Sequence, residues 1–172
     1  MEPPHRVRLV TGDCMKLSEL IHAPSVIPEL EATNRNGVIR ELVQSLADHG
    51  AVDADAAETI ARSAISREKQ GSTGFGKGVA VPHVKHDRVE KIVATIGRSS
   101  SGVDFAALDR APVYTIVLLL SPSSQPEAHL AAMEKIFRHL QRENFRRFLR
   151  REGDTRESIV ELIAEADDLQ DE

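Results

Sequence analysis

The sequence predicts a single α/β domain whose sheet is covered by helices on both faces, and three observations carry that expectation. Segments with apolar residues at helical spacing lie before, among and after segments rich in β-branched residues. The run Val113-Tyr-Thr-Ile-Val-Leu-Leu-Leu120 is almost continuously apolar, the pattern of a central strand buried on both sides. With 172 residues, 41% of them apolar, the chain can bury one ordinary core, and its length speaks against a second full domain.

Residues 1–14 contain Pro3, Pro4 and Gly12 and little periodicity, which predicts a flexible N-terminal extension ahead of a domain over residues 15–166. From Asn36 to His49, Val38, Ile39, Leu42, Val43 and Leu46 recur at helical spacing, and Gly50 stands where that helix should end. Asp53 suits the cap of a second helix, which repeats Ala56, Ala57, Ile60, Ala61, Ala64 and Ile65 on one face. Gly71-Ser-Thr-Gly-Phe-Gly-Lys-Gly78 then interrupts all periodicity. Four glycines in eight residues predict a loop that turns tightly or approaches a ligand closely.

Short strands are expected at Val79–Pro82 and at Ile92–Gly97. After the central strand, Ser121-Pro-Ser-Ser-Gln-Pro126 predicts a second loop, and Leu130, Met133, Phe137 and Leu140 mark one face of the helix that follows. Phe145, Phe148 and Leu149 extend it as a short continuation. Arg138, Arg142, Arg146 and Arg150, four apart, would line one face of an unbroken helix; with Glu134, Glu143 and Glu152 nearby, that row reads as a solvated face. Asp154 or Thr155 can cap a last helix bearing Ile159, Val160, Leu162 and Ile163, and residues 167–172 read as a solvated acidic tail.

Composition narrows the function. No apolar run approaches the roughly 18 to 20 residues needed to cross a bilayer, and the first residues lack the pattern of a secretory signal. Cys14 is the single cysteine, so no internal disulfide can form and a reducing cytoplasm is the expected compartment. A net charge of −5 argues against a nucleic-acid footprint over the whole surface.

The two loops stand out because each leads to a histidine, His83 beyond the glycines and His129 near the start of the helix after the prolines. A neutral imidazole is a nucleophile that can attack phosphorus near neutral pH without a separate strong base. A phosphoryl group on His83 would need donors, and the backbone N–H groups and hydroxyls of Ser72 and Thr73, with the Arg67 guanidinium, form a candidate phosphate cradle. Taken alone, the same residues also fit a surface turn, a capped helix end and two surface histidines.

The segment Arg67-Glu-Lys-Gln-Gly-Ser-Thr-Gly-Phe-Gly-Lys-Gly-Val-Ala-Val-Pro-His83 resembles the active-site block of the mannitol/fructose-type (type 2) enzyme IIA domains of the sugar phosphotransferase system. Within that family it is most similar to the stand-alone nitrogen-regulatory branch. The likeness covers most of the chain, from Met15-Lys-Leu-Ser-Glu-Leu through Gly102-Val-Asp-Phe-Ala-Ala-Leu-Asp109 and Leu118-Leu-Leu-Ser-Pro to the C-terminal helix. The resemblance implies a mixed β-sheet between helices, with the glycine loop, His83 and His129 at one edge in a shallow depression. It matches His83 to the phosphorylated histidine, Arg67 to the arginine that supports it and His129 to the second active-site histidine.

An HPr-like phosphocarrier protein is then the implied donor, a IIB domain or a regulatory target the implied acceptor or partner, and no metal or organic cofactor is implied. The resemblance favours a nitrogen-type regulatory protein acting through its phosphorylation state, with a sugar-transport component that passes phosphate to a IIB domain, or a degenerate binding module that is never phosphorylated, as alternatives. Two positions depart from the family: Val84, where Gly or Ala is usual, and His86, where an apolar residue is common. The second raises a metal reading, since His83, His86 and His129 offer three imidazoles to zinc. In an extended segment, however, residues three apart point to opposite faces, so the pair would share an ion only at a turn.

Overall fold

A computed structural model describes residues 15–151 and 155–168. The N-terminal extension expected over residues 1–14 lies outside the described residues, as does Asp154. In chain order the elements are α1 (Leu17–Leu20), α2 (Arg35–Asp48), α3 (Ala57–Gln70), β1 (Gly74–Gly76), β2 (Val79–Ala80), β3 (His83–His86), β4 (Val93–Val103), β5 (Val113–Pro122), α4 (Pro126–Leu140), α5 (Glu143–Leu149) and α6 (Arg156–Asp168).

Local chemistry sets the helix ends. Asn34 accepts a hydrogen bond from the Gly37 N–H at 2.8 Å and so caps α2, which stops before Gly50 at φ +78°. Asp53 caps the short 3-10 turn Ala54–Ala56, and α3 starts one residue after it. Thr155 caps α6 by accepting from the Ser158 N–H at 3.2 Å.

β5 is the centre of the sheet. β4 runs antiparallel along one side of it, from Val93 opposite Leu120 to Val103 opposite Val113. On the other side β2 and β3 both run parallel to it, Val79 opposite Thr115 and His83 opposite Leu119, which makes the sheet mixed. β1 completes the edge beside β2. Side chains of β5 alternate between two cores: Ile116, Leu118 and Leu120 pack with α2 and α3, whereas Val117 and Leu119 pack with α1, α4, α5 and α6. Three layers result, helices against both faces of one sheet, as the periodicity predicts.

Several expectations need correction. The glycine-rich segment is a hairpin, β1 to β2, because Lys77 and Gly78 take φ of +62° and +77°, the two left-handed positions of a tight hairpin turn. The strand expected at Val79–Pro82 ends at Ala80 and resumes at His83, since Pro82 has no N–H to give a ladder. His83 therefore opens β3, separated by two residues from the end of β2. β4 runs on to Val103, past the expected end at Gly97, with an irregular register after Arg98 and a turn at Gly102, φ +85°.

The arginine row does not form, because the helix breaks after Leu140. Arg146 Nη1 turns back to donate to the Leu140 carbonyl at 2.8 Å, and the Arg150 guanidinium lies 3.8 Å from the centroid of the Tyr114 ring. Asp167, expected in a solvated tail, is 4% exposed, and α6 runs through it to Asp168. Its two carboxylate oxygens accept the Leu17 and Ser18 N–H groups at 2.9 Å each, donors that the start of α1 leaves without intrahelical partners.

Candidate active site

The position of His83 follows from strand parity. Val79 and Val81 face the core under α4, Ala80 faces α2 and α3, and the register against β5 is the same before and after the Val81-Pro82 break. His83 and Lys85 therefore belong to the α4 face, and Val84 packs on the opposite core. The ladder locks this in place: the Leu119 N–H donates to the Pro82 carbonyl at 3.0 Å.

His83 Nδ1 lies 2.8 Å from the Val81 carbonyl oxygen. A carbonyl only accepts, so Nδ1 carries the proton and Nε2 keeps the lone pair. Burial holds the imidazole below its ordinary pKa, and the positive charges of Arg67 and Lys85 press the same way against the Val81 carbonyl and Glu68. The ring is neutral at physiological pH, with the lone pair on Nε2.

His129 comes from the first turns of α4, which starts with Pro126 in its first turn, where a missing N–H costs nothing. The ring is 6% exposed, and its Nδ1 is 2.7 Å from the hydroxyl of Ser121 at the end of β5. Burial, and then the neighbouring His83 and Lys85, lower its pKa to about 4. The His83 and His129 ring centroids stand 5.5 Å apart, the planes tilted by 46°. Both open on a depression of about 610 Å³, whose wall also includes Arg67, Lys85, Leu130, Met133 and Phe137. Leu130 is 65% exposed, and the Phe137 ring packs at a tilt against Phe75 of the glycine hairpin, the centroids 5.1 Å apart.

Arg67, in the last turn of α3, reaches across the helix end to donate to the Gly71 carbonyl at 3.1 Å, so its guanidinium sits where the hairpin begins. Ser72 and Thr73 take a different place from the one the sequence suggests. Glu68, 1% exposed, accepts from the Thr73 N–H at 2.8 Å and from the Thr73 hydroxyl at 2.7 Å. The Ser72 hydroxyl lies 2.6 Å from the Phe105 carbonyl and 3.2 Å from Glu68. Neither hydroxyl lines the depression; both frame the hairpin that borders it.

His86 stays apart from the pair. It is three residues along an extended strand from His83, and its Nδ1 accepts the Arg88 N–H at 3.0 Å. Among the described residues no group of three or more His, Cys, Asp or Glu side chains is placed to hold a metal ion.

Sequence reasoning missed three residues of this region. Lys85 was detectable, since a residue two places along a strand from His83 shares its face. Glu68 and Ser121 gave no local signal, because their partners are fixed by the hairpin and by the packing of α4 on β5.

The chain matches the family model of the phosphoenolpyruvate-dependent sugar phosphotransferase system, EIIA 2, over residues 19–166. It is 29% identical over 150 residues to a nitrogen regulatory protein of Bradyrhizobium diazoefficiens, an alignment covering 87% of this chain and 95% of that protein. To the fructose-specific EIIABC component of Bacillus subtilis it is 30% identical over 153 residues, 89% of this chain but only 24% of that much longer protein. The structure superposes on that of nitrogen regulatory protein IIA-Ntr from Neisseria meningitidis with a TM-score of 0.75 and 25% identity, covering 85% of this chain and 97% of the other. Since the matched span includes both histidines, the arginine and the glycine hairpin, the site described above lies wholly inside the shared domain, and the chain belongs to the EIIA type 2 family of the phosphoenolpyruvate-dependent sugar phosphotransferase system.

Proposed function

We propose that this protein is a phosphoryl carrier that forms a phosphohistidine on Nε2 of His83, and that an HPr-like phosphocarrier protein is the donor. The observation that carries the reading is the hydrogen bond from His83 Nδ1–H to the Val81 carbonyl, which leaves a neutral Nε2 facing the depression beside His129.

In the transfer, the Nε2 lone pair forms the new P–N bond as the donor's P–N bond breaks, and that electron pair returns to the donor nitrogen. His83 becomes a phosphoimidazolium, and the Val81 carbonyl bonded at Nδ1–H steadies the positive charge that develops on the ring. Arg67, His129 and Lys85 surround the position of the transferring oxygens with positive charge and N–H donors. Ser72 and Thr73 act through the shape of the hairpin. The apolar rim of Leu130, Met133 and Phe137 gives a partner something to cover, so that water is kept from the energy-rich phosphoramidate.

The likeness to nitrogen regulatory proteins in sequence and in structure supports a regulatory role, exercised through the phosphorylation state. The likeness to a fructose-specific component supports a second reading, onward transfer to a IIB domain. No helix among the described residues is long and apolar enough to cross a membrane, and the reading places the chain in the cytoplasm beside its phosphocarrier.

The test is incubation with a phosphorylated HPr-type donor, followed by intact mass measurement and site mapping under alkaline conditions that preserve phosphohistidine. One phosphoryl group is expected, on His83, and none in His83→Ala. In His129→Ala transfer should slow about a hundredfold or more, the effect of removing one charge-stabilising donor. Label on His129, or undiminished labelling of His83→Ala, would overturn the assignment. Chasing the labelled protein with a IIB domain separates the two roles.

A further inference from the structure

We infer that Ser121 is a positioning residue for the phosphoryl-transfer site: its hydroxyl fixes His129 as the tautomer with the proton on Nε2, so that the ring presents an N–H donor to the transferring phosphoryl group. The inference rests on the reading of the site given above and adds to it a residue that touches neither His83 nor the phosphoryl group.

The hydroxyl of Ser121 is fully buried, at the end of β5 and on the face that α4 covers. A hydroxyl has one proton to give, and burying it without an acceptor is unfavourable. Among the described residues the one hydrogen-bond partner of Ser121 Oγ is His129 Nδ1, at 2.7 Å. If Nδ1 carried the proton, it would donate to Oγ, and the serine proton would be stranded in the interior. The reverse arrangement satisfies both groups. The serine donates, Nδ1 accepts, and a neutral imidazole then carries its proton on Nε2.

This polarity suits the chemistry. A phosphoryl group on His83 is ringed by oxygen acceptors, so the neighbouring histidine is useful as a donor and repulsive as a lone pair. Protonating both nitrogens would serve as well, but burial and the charges of His83 and Lys85 keep His129 neutral. The serine therefore does for His129 what the Val81 carbonyl does for His83: each partner at Nδ1 sets the state of the opposite nitrogen, lone pair on the attacking ring and N–H on the assisting one.

Nitrogen NMR of the imidazole rings in the wild-type protein reads the tautomer directly. A protonated Nε2 and an unprotonated, hydrogen-bonded Nδ1 are expected for His129; a protonated Nδ1 would overturn the inference whether or not the protein accepts phosphate. In Ser121→Ala the fixed tautomer should give way to a mixture, and the transfer rate from the phosphorylated donor should fall about tenfold. Placed in the His129→Ala background, Ser121→Ala should change the rate no further, because the serine acts only through that ring. An additive loss in the double variant would show instead that Ser121 supports the fold. If the wild-type protein accepts no phosphate while the tautomer is as expected, the functional reading fails and the assignment of Ser121 to His129 stands.

Discussion

Acid should destabilise this domain through His129, and the size of the effect can be worked from its surroundings. In the unfolded chain the imidazole titrates near its ordinary pKa of 6.5, and in the folded domain at about 4. Between those values the unfolded chain takes up a proton that the folded chain refuses, so stability falls as the pH falls through this window and levels off below it. At about 1.4 kcal/mol per pH unit the ceiling is about 3.4 kcal/mol, and about 2.5 kcal/mol should be lost between pH 7.5 and pH 4.5. Urea unfolding of the wild type and of His129→Gln at those two pH values isolates the effect, because carboxylates and the other histidines contribute to both proteins alike. The glutamine occupies a similar place and does not titrate. The wild type should lose about 2.5 kcal/mol more than the variant. Equal losses in the two would mean that His129 is free to take a proton in the folded state, and that the neutral ring on which the mechanism depends is not maintained.

Asp167→Ala removes the acceptor of two backbone N–H groups at the start of α1, which should cost about 2 to 4 kcal/mol and lower the thermal midpoint by roughly 5 to 15 °C in circular dichroism. Leu130→Asp places a charge on the exposed rim of the depression; urea unfolding should stay within about 0.5 kcal/mol of the wild type, while KM for the phosphorylated donor protein rises about tenfold or more and kcat changes little. Chelating agents should leave the transfer rate unchanged, since a phosphohistidine donor has no polyphosphate chain to be neutralised by a divalent ion; a rate lost on chelation and restored by zinc would redirect attention to His86.

How much of this was legible in the sequence depended on the range of the interactions. The central strand, the buried faces of α2 and α3, and the loop leading to His129 follow from local periodicity and composition, and they came out in the right layers; on α4 the expected face was partly wrong, since Leu130 is 65% exposed while Ala132 and Ile136 are buried with Leu140. The glycine segment misled because its turn needs two left-handed residues, and one of them is Lys77, which gives no hint of its φ of +62°. The arginine row misled because a spacing of four says nothing about the break after Leu140. Asp167 and Glu68 carry charge, and charge reads as surface until the N–H groups that satisfy it are known to lie across the fold. The pairing of Ser121 with His129 is of the same kind: the two are close in sequence, yet only the turn between β5 and α4 decides that they meet.

The interruption at Val81-Pro82 has a bearing on what insertions and deletions this chain can tolerate. Two residues separate β2 from β3, and because side chains alternate along a strand, that even number preserves the phase between the buried valines and His83. Adding or removing one residue there would leave the sheet able to pair and the composition of the active-site block intact, but it would turn the imidazole toward α2 and α3 and bring its neighbour to the depression instead. Sequence drift in this segment is thus constrained in steps of two. A homologue with a gap of odd length at this point would need a compensating bulge in β3 to keep the imidazole in the depression beside His129.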